Sequence, residues 1–322
     1  MGVAGVGWGR QVGGVDVLGV LRGVGAGQNG VVTLEQALRA GLTLPEVRRL
    51  CRAGRWRALA RGCYLVDADG YGDVPRRAQI RATVQSFGPY ASAVLDTAAE
   101  LHGIAGLRRT ETIHVSIPGP LSRRPRQTHP QVVVHQLLAP PRAFRTVNGI
   151  RATDVLHTVA DIILRTERYS AVCVLDSALN QGLLTSSQFA AIPALIHGRR
   201  GARSARAHLE EADGRAESPL ETRVRLRCTD GNVAPDSLQH VVRDHAGRVL
   251  GIGDMAWLRF MLLAEADGRG PHSTPEAVYA DRRRQNRLVA AGWTLARFTW
   301  QDTLHPDYIP HVIRRLLTRG PA

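Results

Sequence analysis

The chain has 322 residues, 44% of them hydrophobic, with 42 basic side chains against 28 acidic ones and a formal net charge of +14. That length holds two or three cores of ordinary size, and no apolar run reaches the roughly 20 residues a membrane helix needs. Every basic residue is arginine and the sequence has no lysine. This reads as a codon bias, so the net excess of positive charge means more than the arginine count; it favours phosphate backbones or anionic surfaces as partners.

Residues 1–14 are rich in glycine and are expected to lack structure, because glycine loses the most entropy on ordering. No early basic region precedes an apolar segment, so no signal peptide is expected. The expected location is cytoplasmic, at the nucleoid. Residues 15–66 read as one unit. Val15 to Val24 suits a short apolar helix. Thr33 and Gln36, then Thr43 and Glu46, have capping-box spacing, with Pro45 in the first turn of the second helix. The run RWRALARGCYLV reads as a hairpin with Trp56, Cys63 and Leu65 facing inward. Helix, helix, helix, hairpin is the order of a winged helix-turn-helix. Between residues 46 and 61, Arg48, Arg49, Arg52, Arg55, Arg57 and Arg61 stand against Glu46 alone. Arginine clamps phosphates and reads guanine edges in the major groove, so these six are candidate DNA contacts.

Residues 75–200 read as a mixed α/β middle domain. Helices are expected near Arg76–Gln85, Ala91–His102, Thr153–Leu164 and Ser170–Asn180, and strands at Thr112–Ile117 and Gln131–Gln136. A loop with Arg123, Arg124 and Arg126 joins the strands. His102, His114, His135 and His157 fall on different elements and suit satisfied or surface histidines. Cys51, Cys63, Cys173 and Cys228 lack CxxC spacing, which argues against zinc or a redox dithiol and for reduced, buried thiols. Residues 201–214 read as a linker with a short helix, entered through the basic run RRGARSAR.

Residues 215–322 carry the candidate chemistry. Ser218-Pro219-Leu220-Glu221 opens a helix, and Glu221 suits either a capping acid or a site acid. Gln239–Arg243 and Val249–Trp257 form a hairpin that carries Asp254 between apolar neighbours, where a lone carboxylate needs a partner. The next strand, Phe260–Asp267, ends in Glu265 and Asp267, which point the same way at i and i+2. Gathered carboxylates could hold Mg²⁺ and act on a phosphodiester. A helix over 275–291, capped by Thr274, puts Asp281, Arg284, Gln285 and Leu288 on one face; Arg284 or Gln285 would then aim at the site. Trp293–Trp300 alternates as a strand, with Leu295 and Arg297 on one face.

The motifs SPLETR (218–223), GDMAW (253–257), AEADG (264–268) and DRRRQNRLVAAGWTLARFTW (281–300) resemble the restriction-endonuclease-like domain related to the very short patch repair endonucleases, in the PD-(D/E)XK superfamily. The runs GVVTLEQALRAGLT (30–43) and GRWRALARGCYLV (54–66) resemble the winged helix of AbiEi-type antitoxins of type IV toxin–antitoxin systems. TIHVSIP, VVVHQ and NGIRATDVLHTVADI resemble the remainder of such proteins, so the likeness runs from residue 15 onward. It implies Asp254 and Glu265 as metal-binding acids with Glu221 as the helix acid, Mg²⁺ as cofactor, and DNA and a cognate toxin as partners. It puts Asp267 where the superfamily often has lysine, so the usual electrostatic help to the attacking water would have to come from elsewhere, from Arg284 or Gln285, or be missing. Arginine stays protonated and is a poor base. Three readings follow: a Mg²⁺-dependent DNA endonuclease, an antitoxin or regulator with a non-catalytic nuclease-like scaffold, and a protein-binding module.

Overall fold

A computed structural model describes residues 11–12, 15–117, 132–136, 140, 143–268 and 275–319. The loop arginines Arg123, Arg124 and Arg126 and the expected cap Thr274 lie outside the described residues. The class is mixed α/β, as expected. The chain divides into two compact units: Met1–Gly103 with Arg109–Thr158, and Ile104–Arg108 with Val159–Ala322. Residues 75–200, read from sequence as one domain, are therefore shared between the two.

The first unit begins with β1 (Gln11–Val12) paired to β2 (Val15–Asp16), so part of the N-terminal stretch expected to be structureless is a strand. Then come α1 (Val17–Ala26), β3 (Val31–Thr33), α2 (Leu34–Arg39), α3 (Leu44–Arg52), β4 (Arg57–Ala60) and β5 (Cys63–Leu65). The three strands form an antiparallel sheet in the order β3-β5-β4, which is the arrangement of a winged helix. Both capping boxes form. The Thr33 amide donates to Gln36 Oε1 at 2.8 Å, and the Thr43 amide to Glu46 Oε2 at 2.8 Å. Trp56, Cys63 and Leu65 are buried.

The unit continues through α4 (Arg76–Ser86), β6 (Ser92–Ala93), α5 (Leu95–His102), β7 (Ile113–Ser116), β8 (Val132–His135), β9 (Phe144–Val147) and β10 (Ile150–Thr153). These strands make a mixed sheet in the order β8-β7-β6-β10-β9. Helix α4 explains why the winged helix does not end at residue 66. Its Ala78 and Ala82, four residues apart, pack on Val31, Cys63 and Leu65, while Ile80 and Val84 pack on the five-stranded sheet. One helix thus belongs to two cores. The histidines are partnered within the unit: His102 Nε2 lies 2.7 Å from the Thr153 carbonyl, His157 Nδ1 2.8 Å from Asp154, and His114 2.8 Å from His135.

Arg81, on α4, is 4% exposed. It donates to Asn29 Oδ1 at 3.0 Å, the Gly149 carbonyl at 3.0 Å and the Asn148 carbonyl at 2.6 Å. Arg81→Met would remove three bonds whose acceptors sit on exposed (Asn148, Gly149) or half-buried (Asn29) residues that water can reach, so each bond counts at the net value of about 0.5–1.5 kcal/mol and not as a buried orphan. Relaxation will recover part of the sum, so we expect a loss of about 3 kcal/mol by urea denaturation. A midpoint equal to the parent's would show that these bonds contribute nothing net.

The division falls in α6 (Val155–Ile163). The second unit holds α7 (Arg168–Asn180), α8 (Ser186–Leu195), α9 (Ala202–Glu210), α10 (Pro219–Asp230), β11 (Ser237–Arg243), β12 (Val249–Trp257), β13 (Leu262–Ala266), α11 (Pro275–Ala290), β14 (Thr294–Phe298) and α12 (Tyr308–Arg319). The run RRGARSAR is not an open linker. Gly201 has φ +89°, a Cβ there would meet the Leu164 carbonyl oxygen at 2.2 Å, and α9 starts at the next residue. Helix α7 is buried continuously from Ala171 to Ala178. Its Asp176 accepts from Thr222 Oγ1 and Arg225 Nη2 of α10, each at 2.8 Å, and from the Asp213 amide at 2.7 Å.

The sheet order is β11-β12-β13-β14, antiparallel except for the parallel pair β13–β14. One face carries Met255, Trp257, Leu262, Ala264, Ala296 and Phe298 against Leu220 and Val224 of α10 and Ile309 and Ile313 of α12. The other carries Val242, Ala256 and Leu263 against Leu288 of α11, with Leu295 alongside. Helix α11 lies close to β12 because Gly251 has no side chain; a Cβ would meet Arg284 Cγ at 3.2 Å and Leu288 Cδ1 at 3.3 Å.

Candidate functional site

Two regions hold the candidate residues, one in each unit. In the first unit, Arg48, Arg49 and Arg52 lie exposed on α3, and Arg57 and Arg61 lie exposed on β4 and the turn to β5; Arg55 is half-buried. Leu50 and Val47 are buried on the opposite side of α3, where they hold it to the core. Among the described residues, no carboxylate pairs with Arg48, Arg52, Arg57 or Arg61. The arginines are thus turned outward because the apolar residues of the same helix must turn inward.

In the second unit, a groove of about 600 Å³ is lined by Gln239, Ile252, Asp254, Glu265, Arg284 and Arg297, among others. Gln239 and Asp254 fall opposite each other, between the pairs Leu238–Met255 and His240–Gly253. Gln239 has φ +50°, which kinks the strand at this point. Asp254 accepts from the Ala266 amide at 2.7 Å. Burial, reinforced by the nearby carboxylates Glu221 and Glu265, pushes its carboxyl up from 3.8 to about 6.

Glu221 serves as the capping acid. It accepts from Ser218 Oγ at 2.7 Å, the Glu217 amide at 2.8 Å and Gln239 Nε2 at 2.9 Å. Its Oε2 thus takes both the Glu217 amide and Gln239 Nε2. Glu265 is 6% exposed and fully engaged. Its Oε1 accepts from Arg284 Nη1 at 2.6 Å. Its Oε2 accepts from Arg284 Nη2 at 3.0 Å, Arg297 Nε at 3.1 Å and Arg297 Nη2 at 3.0 Å. Asp281 joins the same two arginines, each at 2.8 Å, and takes Gln285 Nε2 at 3.0 Å. Bonding to Glu265 holds the Arg284 guanidinium above its ordinary range, although burial opposes this. Burial alone would raise the Asp281 carboxyl, but Arg284 and Arg297 hold it below the usual value. Asp267 is half-exposed, 3.7 Å from Arg297 Nη1.

The structure therefore brings Asp254, Glu265 and Arg284 to one groove and puts Glu221 within electrostatic reach. Among the described residues, Gln285 bonds to Asp281 and does not line the groove. Arg297, Asp281 and Gln239 matter more to the groove than their sequence signals indicated. The parallel register sets Glu265 opposite Arg297, a pairing that appears only once β14 is known to lie beside β13. Among the described residues no group of three or more His, Cys, Asp or Glu is arranged to hold a metal. Mg²⁺ demands near-octahedral oxygen ligands at about 2.0–2.1 Å. The expected ligands Asp254, Glu265 and Glu221 each spend oxygens on protein donors, so this donor arrangement does not fit the ion.

The raised carboxyl of Asp254 has a consequence for stability. A folded-state value above the unfolded one means the folded chain holds the proton more tightly. This contribution is fully present below about pH 3.8 and is lost as the pH rises through about 6. Asp254→Asn should therefore flatten the pH profile of the melting temperature between about pH 4 and 6 and stabilise the protein at pH 7 by about 1–2 kcal/mol, allowing for solvent screening. Identical pH profiles for parent and variant would refute the assignment.

The fold and sites thus define a mixed α/β protein with a winged helix in the first unit and, in the second, a segment from α10 to β14 in the order αβββαβ. No family model matches the chain. It is 32% identical, over 234 residues, to the uncharacterized proteins MT2308 and Rv2248 of two Mycobacterium tuberculosis strains; the alignment covers 72% of this chain and 83% of theirs. The chain belongs to the family of these mycobacterial proteins. The crystal structure of the RV2827C protein from Mycobacterium tuberculosis superposes with a TM-score of 0.43 and 17% identity, over 71% of this chain and 86% of that one, a likeness too low to bear on fold or function. Among the described residues no helix is long and apolar enough to cross a membrane.

Proposed function

We propose that the chain binds double-stranded DNA through α3 and the β4–β5 wing and acts as a regulator of the antitoxin kind. The observation that carries this reading is the outward row Arg48, Arg52, Arg57 and Arg61 on a helix and hairpin ordered as in a winged helix, with no carboxylate paired to them among the described residues. A helix of this kind enters the major groove, where arginine both clamps phosphates and reads guanine. The resemblance to antitoxins adds a cognate toxin protein as a second partner, and DNA binding would locate the protein at the nucleoid. Anisotropy of a labelled duplex across about 50–200 mM salt tests it: affinity should fall steeply as salt displaces phosphate contacts. Salt-independent binding, or none, would rule it out.

A second reading, phosphodiester hydrolysis in the second unit, is supported by Asp254 lining an open groove with Glu221 within electrostatic reach, and by the αβββαβ order of α10 to β14. Supercoiled plasmid with Mg²⁺ or Mn²⁺ tests it. Nicking by the parent that is lost in both Asp254→Asn and Glu265→Gln would displace the regulator reading with an endonuclease.

A further inference from the structure

The network around Glu265 uses every donor of Arg284 and both oxygens of Glu265. A guanidinium carries five N–H donors. In Arg284 all five are used. Nε goes to Asp281 at 3.3 Å, Nη1 to Glu265 at 2.6 Å and the Ile252 carbonyl at 3.0 Å, and Nη2 to Glu265 at 3.0 Å and Asp281 at 2.8 Å. Arg297 adds Nε and Nη2 to Glu265 and Nη2 to Asp281. Two carboxylates and two guanidiniums thus meet at hydrogen-bond distance, with Asp267 a looser third carboxylate 3.7 Å from Arg297 Nη1, and both oxygens of Glu265 are occupied. The four residues come from three elements: Glu265 from β13, Asp281 and Arg284 from α11, and Arg297 from β14.

We infer that Arg284 and Arg297 are the resident counter-charge of Glu265, standing where a divalent cation would otherwise sit, and that this four-residue network fastens α11 and β14 to β13 without metal. The chain has no lysine, so arginine is the cation left to fill such a place, and its planar fork matches a carboxylate in two bonds where a lysine would make one. The inference is independent of whether the first unit binds DNA.

The test compares parent and Glu265→Gln by thermal melting in EDTA and in millimolar Mn²⁺, together with Mn²⁺ titration followed by electron paramagnetic resonance. The parent should melt at the same temperature in both buffers. Glu265→Gln should melt lower by about 5 °C or more in EDTA, because the ion pairs it removes require no metal. The Arg284→Gln/Arg297→Gln double variant should bind Mn²⁺ at least about tenfold more tightly than the parent, and adding Glu265→Gln should abolish that gain. Mn²⁺ binding by the parent that Glu265→Gln weakens tenfold would overturn the inference. So would equal melting of parent and Glu265→Gln in EDTA, a readout that does not depend on the double variant folding.

Discussion

Replacing Arg48, Arg52 and Arg57 together by alanine should weaken binding to duplex DNA by about a hundredfold or more near 100 mM salt. Each lost phosphate contact lowers the slope of log K against log salt by about 0.9, so three should lower it by about 2.7. All three side chains are exposed, and the core of α3 rests on Val47 and Leu50 instead. The melting temperature should therefore change little, since exposed substitutions away from special features usually lie within about 0.5 kcal/mol. This separates loss of contact from loss of fold. A triple variant that bound with the parent's affinity and salt slope would remove the winged helix from the DNA interface, whatever the second unit does. Single variants would sort the contacts further: a phosphate clamp weakens all sequences alike, whereas a base contact relaxes preference at one position.

The second large effect concerns stability. Asp176 is 1% exposed and its partner Arg225 has 12% of its side chain exposed. Arg225 Nε is itself buried without a hydrogen-bond partner. Asp176→Ala would leave a buried guanidinium with no counter-charge, and breaking a buried pair from one side costs about 3–5 kcal/mol. Against the 5–15 kcal/mol that holds a typical domain folded, this is enough to unfold much of the second unit near body temperature. Adding Arg225→Met should restore part of the loss, because two apolar groups of similar volume tolerate burial that one charge does not. Denaturant titration of the parent, both single variants and the double variant measures the coupling. Strict additivity would show that the two side chains do not act as a pair.

Much of this was legible locally. Thr33–Gln36 and Thr43–Glu46 were readable as helix starts because a cap is a contact three residues long. The inward Trp56, Cys63 and Leu65 followed from the spacing of apolar residues in a hairpin. On α11, the shared face of Asp281, Arg284 and Leu288 followed from helical period alone. Helix α12 was not anticipated. Two prolines, Pro306 and Pro310, precede and enter it, yet Pro310 lies in the first turn, where a missing N–H breaks no helical bond. The continuity of α4 with the winged helix was also missed, because Ala78 and Ala82 are informative only against the sheet they touch.

The candidate site divides along the same line. By itself the sequence determined the outward arginines of α3, the order αβββαβ, and the acids Asp254, Glu265 and Glu221 as the residues to watch. These depend on periodicity and caps, which act over a few residues. Only the tertiary structure decided what those acids do. The parallel register of β13 and β14 sets Arg297 against Glu265, Gly251 lets α11 bring Arg284 to the same carboxylate, and Gln239, opposite Asp254, bonds to Glu221. A carboxylate becomes a metal ligand, a cap or half of an ion pair according to the charge that reaches it first, and that charge comes from residues distant in the chain.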